Sequence, residues 1–160
     1  MMTELLPISP GDSVLRDLIA GNVHCRQVYE MQMKLYDNIG YHEPWIGYFI
    51  RRGDQIIGTC SFKGKPVDGK VEIAYFTFPE FEHQGIATMA CKTLTRMAIR
   101  CDSSVRVTAR TLPEDNYSTK VLKKNGFTCI GTIADPEDGE LWEWHYLTGR
   151  DHPEQSITQK

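Results

Sequence analysis

Glu72 is the only charged residue in the run Val71-Glu72-Ile73-Ala74-Tyr75-Phe76-Thr77-Phe78. A carboxylate held against apolar neighbours keeps its proton to higher pH than one in water, which suits a group that exchanges protons near neutrality. An ordinary solvent-facing glutamate on a half-exposed strand gives the same sequence. Downstream, Glu82-His83-Gln84-Gly85-Ile86-Ala87-Thr88 places small residues where a helix begins. The first amides of a helix have no partner inside it and sit at the positive end of its dipole, an arrangement that favours an anion such as a pyrophosphate. Gly85 omits a side chain where such a ligand comes closest, and Ala87 is nearly as permissive. Many helices begin this way with nothing bound. Farther along, Asn116 and Ser118 stand at the head of another helix, where both residue types also serve as plain caps.

These residues need a strand and two helices to position them. Residues 70–78 alternate, with Val71, Ile73, Tyr75 and Thr77 on one face and Glu72, Ala74, Phe76 and Phe78 on the other. Pro79 cannot donate to a ladder and ends the strand. The period then changes, and Ile86, Met89, Ala90, Leu94, Met97 and Ala98 form one helical stripe. Asp115 or Asn116 can cap the second helix, Lys123 and Lys124 suit its C-terminal end, and Gly126 stops it.

The remaining chain supplies the frame. Residues 4–8 suit an edge strand. Asp12 or Ser13 can start a helix with the stripe Val14, Leu15, Leu18 and Ile19. A second helix from Asn22 carries Val23, Val28, Met31, Leu35 and Tyr36 at helical steps and stops at Gly40. Residues 45–51 and 55–63 read as a hairpin around Arg52-Gly53-Asp54, and residues 104–110 as a further strand. Residues 127–133 and 141–147 form the last pair across Pro136-Glu137-Asp138-Gly139. Strands and helices mix too irregularly for a doubly wound sheet or a βα barrel, so the expected class is α+β.

Taken together, VEIAYFTFPEFEHQGIA and the later LPEDNYSTKVLKKNGF resemble the GNAT superfamily of acetyl-CoA-dependent N-acetyltransferases, in its ribosomal-protein branch. The resemblance runs over about residues 44–144 and implies a mostly antiparallel mixed sheet of six or seven strands flanked by four helices. The length of 160 residues suits a single domain, over residues 1–148, and the sequence at 149–160 reads as a polar tail. In that family the loop amides, here from His83, Gln84, Gly85, Ile86, Ala87 and Thr88, hold the cofactor's pyrophosphate. The strand end Phe76, Thr77 and Phe78 meets the pantetheine arm where the strand parts from its neighbour. By the same resemblance Asn116 touches the cofactor, Ser118 solvates or protonates the leaving thiolate, and Glu72 is the base beside the acceptor site. Three departures stand out. Lys123 follows Leu122 where many relatives carry a tyrosine acid, leaving Tyr117 and Tyr146 as the nearby phenols, and Glu82 and His83 replace the usual loop entry.

The implied activity is acetyl transfer from acetyl-CoA to a primary amine, on a small molecule or a protein N-terminus, by direct attack and without a metal. A silent acyl-CoA-binding module of the same fold is the alternative. The acidic residues Asp135, Glu137, Asp138, Glu140 and Glu143 near the last hairpin are either a solvated turn or an attraction for a cationic amine. A net charge of -3 and 24% charged residues propose neither a nucleic acid nor an anionic membrane as partner. The N-terminus lacks the order of a secretory signal, so a cytoplasmic protein is expected. The five cysteines, with no C-x-x-C pair, read as free thiols, Cys60, Cys91 and Cys129 in the core. The assembly is left open, a homodimer included.

Overall fold

A computed structural model describes residues 2–147. The polar tail expected at 149–160 lies outside the described residues. The chain runs β1 (Thr3–Pro7), α1 (Ser13–Ile19), α2 (Val23–Ile39), β2 (Gly47–Arg52), β3 (Gln55–Phe62), β4 (Lys70–Thr77), α3 (Ile86–Cys101), β5 (Arg106–Thr111), α4 (Tyr117–Lys124), β6 (Phe127–Asp135) and β7 (Gly139–Tyr146). Seven strands form one sheet in the order β1-β2-β3-β4-β5-β7-β6. Every adjacent pair is antiparallel except β4 with β5. The fold is therefore α+β.

The sheet carries a packed cluster on each face. On one face Val71, Ile73 and Val107 meet Ala90, Cys91 and Leu94 of α3 and Val121 and Leu122 of α4. Strand alternation puts Phe49 on the other face, where it joins Phe78, Leu15 and Ile19 of α1, and Cys25 of α2. Asp12 caps α1, its Oδ1 accepting from the Leu15 amide at 3.0 Å, and Asn22 caps α2 through the Cys25 amide at 3.0 Å.

Three expectations about the frame fail: Val14 of the α1 stripe is 78% exposed, and two others fail for identifiable reasons. Helix α2 forms with Val28 and Tyr36 of the expected stripe inward, but it is rolled so that Val23, Met31 and Leu35 face out. Val23 and Met31 are 60% and 70% exposed, while Cys25, Val28, Met33 and Tyr36 pack inward. The roll is fixed by the Tyr36 hydroxyl, which donates to the Ile8 carbonyl at 2.9 Å and accepts from the Gly47 amide at 3.1 Å. Cys129, expected in the core, is exposed. It lies on β6, the outer strand of the sheet, where Phe127 alone is fully buried. Cys60 and Cys91 are buried as expected, Cys25 with them, and all five thiols are free.

Candidate active site

β4 is laddered to β5 over its first residues and to β3 over the rest. Lys70, Val71 and Glu72 pair in parallel with Arg106, Val107 and Thr108 of β5, and the ladder stops there. On its other side β4 stays paired with β3 from Ile73 through Thr77. The two strands thus part after Glu72, and alternate backbone groups of residues 73–77 on the β5 side have no ladder partner. The approach of β3 to the end of β4 depends on Gly58, where a Cβ would stand 2.5 Å from the Phe76 carbonyl oxygen.

Beyond the open end of β4, Pro79–Phe81 make one 3-10 turn, and the loop swings through His83 and Gly85 into α3. Both take left-handed backbone, with φ of 64° at His83 and 76° at Gly85. Gly85 is the N-cap of α3 and supplies no side-chain cap, so the first amides of that helix point out unmet. A Cβ built on Gly85 meets no protein atom within 4 Å, so the protein itself leaves that space open. Ile86 and Ala87 are buried, and the small size of Ala87 therefore serves the packing of α3 rather than ligand access. Arg52 at the end of β2 reaches the loop, its Nη1 donating to Gln84 Oε1 at 2.8 Å, with the guanidinium over the Phe81 ring. Arg52 was not legible as a site residue because it meets Gln84 across 32 positions of sequence.

α4 closes one side of the opening. Asn116 and Thr119 form a reciprocal capping box at 3.0 Å each, so the capping role holds for Asn116 and occupies its Oδ1. The Tyr75 hydroxyl donates to the Ser118 carbonyl at 3.1 Å and fixes the head of α4 over β4. Burial pushes the Tyr75 phenol far above its ordinary range, so it stays protonated and donating. The Tyr117 ring lies 5.9 Å from His83, which brings the two motifs together. Lys123, in place of the expected tyrosine, pairs with Asp115 at 3.7 Å. Tyr146 packs on Phe127.

On the opposite face, β4 presents Phe76, Ala74 and Glu72 in turn. Phe76 is 51% exposed, and the His24 ring of α2 stands 6.4 Å from it and 4.9 Å from Phe78. Nothing in the sequence linked His24 to this end of β4. Ala74 floors a cavity of about 130 Å3 bordered by Gln32, Thr59 and Ser61. Two buried polar atoms, Gln32 Nε2 and Thr77 Oγ1, have no partner among the described residues.

Glu72 sits where the strands part, about 13 Å along β4 from Phe76 at the usual strand rise. The apolar setting expected for it is replaced by two cations. Its carboxylate lies 3.1 Å from Nζ of Lys63, just past the end of β3, and 3.7 Å from Nε of Arg110 on β5. Arg110 also meets Asp135 at 3.4 Å and Glu143 at 3.8 Å, and Glu143 meets His145 Nε2 at 2.9 Å. The acidic group near the last hairpin is thus partly neutralised from within. The Glu137 and Asp138 amides donate to Asp135 and hold its carboxyl below the usual range. Among the described residues, no group of three or more His, Cys, Asp or Glu is set to hold a metal ion.

An uncharacterized N-acetyltransferase, YjdG of Bacillus subtilis (strain 168), is 30% identical over 95 residues, which is 59% of this chain and 54% of that protein. The matched stretch spans about half the length of that relative. The fold is shared with RimL, a ribosomal-protein alpha-N-acetyltransferase in complex with coenzyme A. The TM-score is 0.68 at 18% identity, covering 92% of this chain and 94% of that one. It is shared too with the microcin self-immunity acetyltransferase MccE in complex with acetyl-CoA and AMP, at a TM-score of 0.64 and 19% identity over 91% and 92% of the two chains. A chimera of the spermidine N-acetyltransferase SpeG from Vibrio cholerae with hSSAT gives 0.66 at 11% identity over 94% and 98%. Residues 17–128 match the sequence family described as the acetyltransferase (GNAT) domain. Since that match spans well over half of the sequence, the chain belongs to the GNAT acetyltransferase family.

Proposed function

We propose that the protein transfers an acetyl group from acetyl-CoA to a primary amine, on a small molecule or a protein N-terminus, by direct attack. The observation that carries this reading is the parting of β4 from β5 after Glu72, beside an α3 N-terminus that the protein leaves uncapped. Family membership supports acetyl transfer, and the coenzyme A and acetyl-CoA in the named RimL and MccE structures support the cofactor.

In this reading the amides of His83, Gln84, Gly85, Ile86, Ala87 and Thr88 take the pyrophosphate, and Arg52 adds a positive charge through Gln84. The unpaired edge from Thr77 back to Ile73, with Phe76 and Phe78 around it, receives the pantetheine arm as an added strand would be received. An arm running along that edge brings the thioester toward the parting point and so toward Glu72. Edge amides there polarise the thioester carbonyl. Thr77 Oγ1, without a partner among the described residues, and Asn116 Nδ2 are polar groups that such an arm can satisfy.

Acetyl-CoA supplies an activated acyl group on a thiol leaving group. The amine nitrogen bonds to the carbonyl carbon, the carbon–sulfur bond breaks, and the thiolate leaves to take up a proton. Glu72 takes the proton that the amine must lose, through water where the two stand apart, while Lys63 and Arg110 hold its carboxylate in place. Ser118 lies on the α4 side, where the sulfur departs. The cavity by Ala74 and the exposed face of Phe76 receive the acceptor from the α2 side.

The test follows acetylated product by mass spectrometry, with acetyl-CoA and a panel of short peptides and small amines, for wild type and Glu72→Gln. Wild type should acetylate at least one class of amine. The variant should lose on the order of 100-fold in kcat with its affinity for acetyl-CoA kept. An unaffected rate removes Glu72 from the mechanism. Binding of acetyl-CoA without product from any amine favours the silent module.

A further inference from the structure

Glu72, the base in the reading above, has an amine of the chain's own beside it. The Lys63 amide donates to the Glu72 carbonyl at 2.8 Å, and Lys63 Nζ lies 3.1 Å from Glu72 Oε2. Backbone and side chain of Lys63 are therefore both tied to the residue at which β4 and β5 part. Arg110, the second cation at that carboxylate, is chemically different, because a guanidinium keeps its proton in proteins. A lysine ammonium can give its proton up, and the neutral amine is then a nucleophile. The pair is also within reach of a bound molecule, since the Lys63 side chain is 57% exposed and that of Glu72 is 21% exposed. Lys65, two residues on, and Lys70, at the start of β4, are exposed as well. Neither is ion-paired with a described residue, so neither has a base at hand.

We propose that Lys63 is a site of self-acetylation: its amine occupies the acceptor's position at Glu72 and, with no other amine bound, takes the acetyl group of the acetyl-CoA held by the same chain. The inference rests on the function proposed above, which brings the thioester to the point where the strands part. Glu72 takes a proton from Nζ, Nζ bonds to the carbonyl carbon, and the carbon–sulfur bond breaks. Coenzyme A leaves as the thiolate and takes up a proton, so acetyl-CoA is the one co-reactant required. The proton passes directly across the 3.1 Å contact. An amine tethered in this way competes at an effective concentration of about millimolar or more, without the entropy cost of bringing in a second molecule. The product is a neutral amide, which leaves Arg110 as the cation paired with Glu72 among the described residues.

Peptide mass spectrometry of the full-length protein incubated with acetyl-CoA, with no added amine, tests this. Lys63 should gain one acetyl group at least on the order of tenfold faster than Lys65 or Lys70, as expected where a general base assists one amine alone. Its rate should not depend on protein concentration, because the transfer stays within one chain. Acetic anhydride, which needs no cofactor site, should mark Lys63 no faster than the two reference lysines. Glu72→Gln, shown by its melt to be folded, should bring Lys63 down to the rate of Lys65 and Lys70. Equal rates at the three lysines in wild type would overturn the proposal. So would a Lys63 rate that rises with protein concentration, survives Glu72→Gln or is matched by acetic anhydride. If the panel of peptides and small amines is acetylated while Lys63 is not, this inference falls and the proposed function stands. If neither is acetylated, both fall.

Discussion

Substituting Gly85 by alanine separates what the protein needs at that position from what a ligand needs. Gly85 has a φ of 76°, and a Cβ there meets no protein atom within 4 Å. An L-residue in the left-handed region costs about 1–2 kcal/mol, and the stiffer unfolded chain returns about 0.4–1 kcal/mol of that. The net loss is about 1 kcal/mol, or about 2–4 °C in the melting midpoint of a domain this size. Packing adds nothing, because the space is open. If that space is the ligand's, the added methyl also spoils the contact between the first-turn amides and the pyrophosphate. Each charge-assisted hydrogen bond lost there is worth about 1.5–3 kcal/mol, so affinity for acetyl-CoA should fall about 10- to 100-fold. Gly11→Ala is the matched control. Its φ is 71°, its Cβ also meets nothing within 4 Å, and it lies before α1, outside the loop. Thermal melts and calorimetric titrations on both variants should give similar small drops in midpoint, with affinity lost at Gly85 alone. Equal acetyl-CoA affinity for Gly85→Ala and wild type would refute the assignment of that space to the pyrophosphate.

Further outcomes follow from the same geometry. Asn116→Ala removes half of the capping box and should cost about 1 kcal/mol; Asn116→Asp restores the cap and the midpoint but lacks the Nδ2 donor, so a cofactor contact shows as an acetyl-CoA KM that stays raised in both variants. A thiol reagent should modify the exposed Cys101 and Cys129 quickly in native protein. Cys25 and Cys91, which burial pushes up to about 11 and about 12, should react only on unfolding, and buried Cys60 with them. Asp135 and Asp102 have lowered folded values, chiefly through the Asp138 amide and the Ser104 hydroxyl respectively. Their stabilisation is complete above the unfolded aspartate value of about 3.9 and is lost as pH falls through the lower folded values. Asn at either position should therefore flatten the acid limb of the melt.

Much of the frame was readable because its signals are local. The alternation from Val71 to Thr77 and the Pro79 stop gave β4, and the shift to helical steps at Ile86 gave α3. The hairpin around Gly53 and the turn before Gly139 gave the strand pairs β2–β3 and β6–β7. What failed depends on partners remote in sequence. The roll of α2 is set by Tyr36 bonding to Ile8 and Gly47, which no periodicity in residues 23–39 encodes. The exposure of Cys129 follows from the place of β6 in the strand order, and the cations beside Glu72 come from β5 and from the segment that follows β3. The site shows the same division. The loop from His83 to Thr88 was legible as a motif, whereas Arg52 and His24 come near it and the end of β4 only in three dimensions.

The central claim is that the α3 N-terminus and the parted strands hold acetyl-CoA, and a thermal melt of the purified protein tests it most directly. The melt is run with and without acetyl-CoA, with adenosine as control. At about a hundred times its dissociation constant a ligand adds about 2.7 kcal/mol, which at about 2–4 °C per kcal/mol raises the midpoint by about 5–11 °C. The account predicts that rise with acetyl-CoA and none with adenosine. An unchanged midpoint at millimolar acetyl-CoA would contradict it.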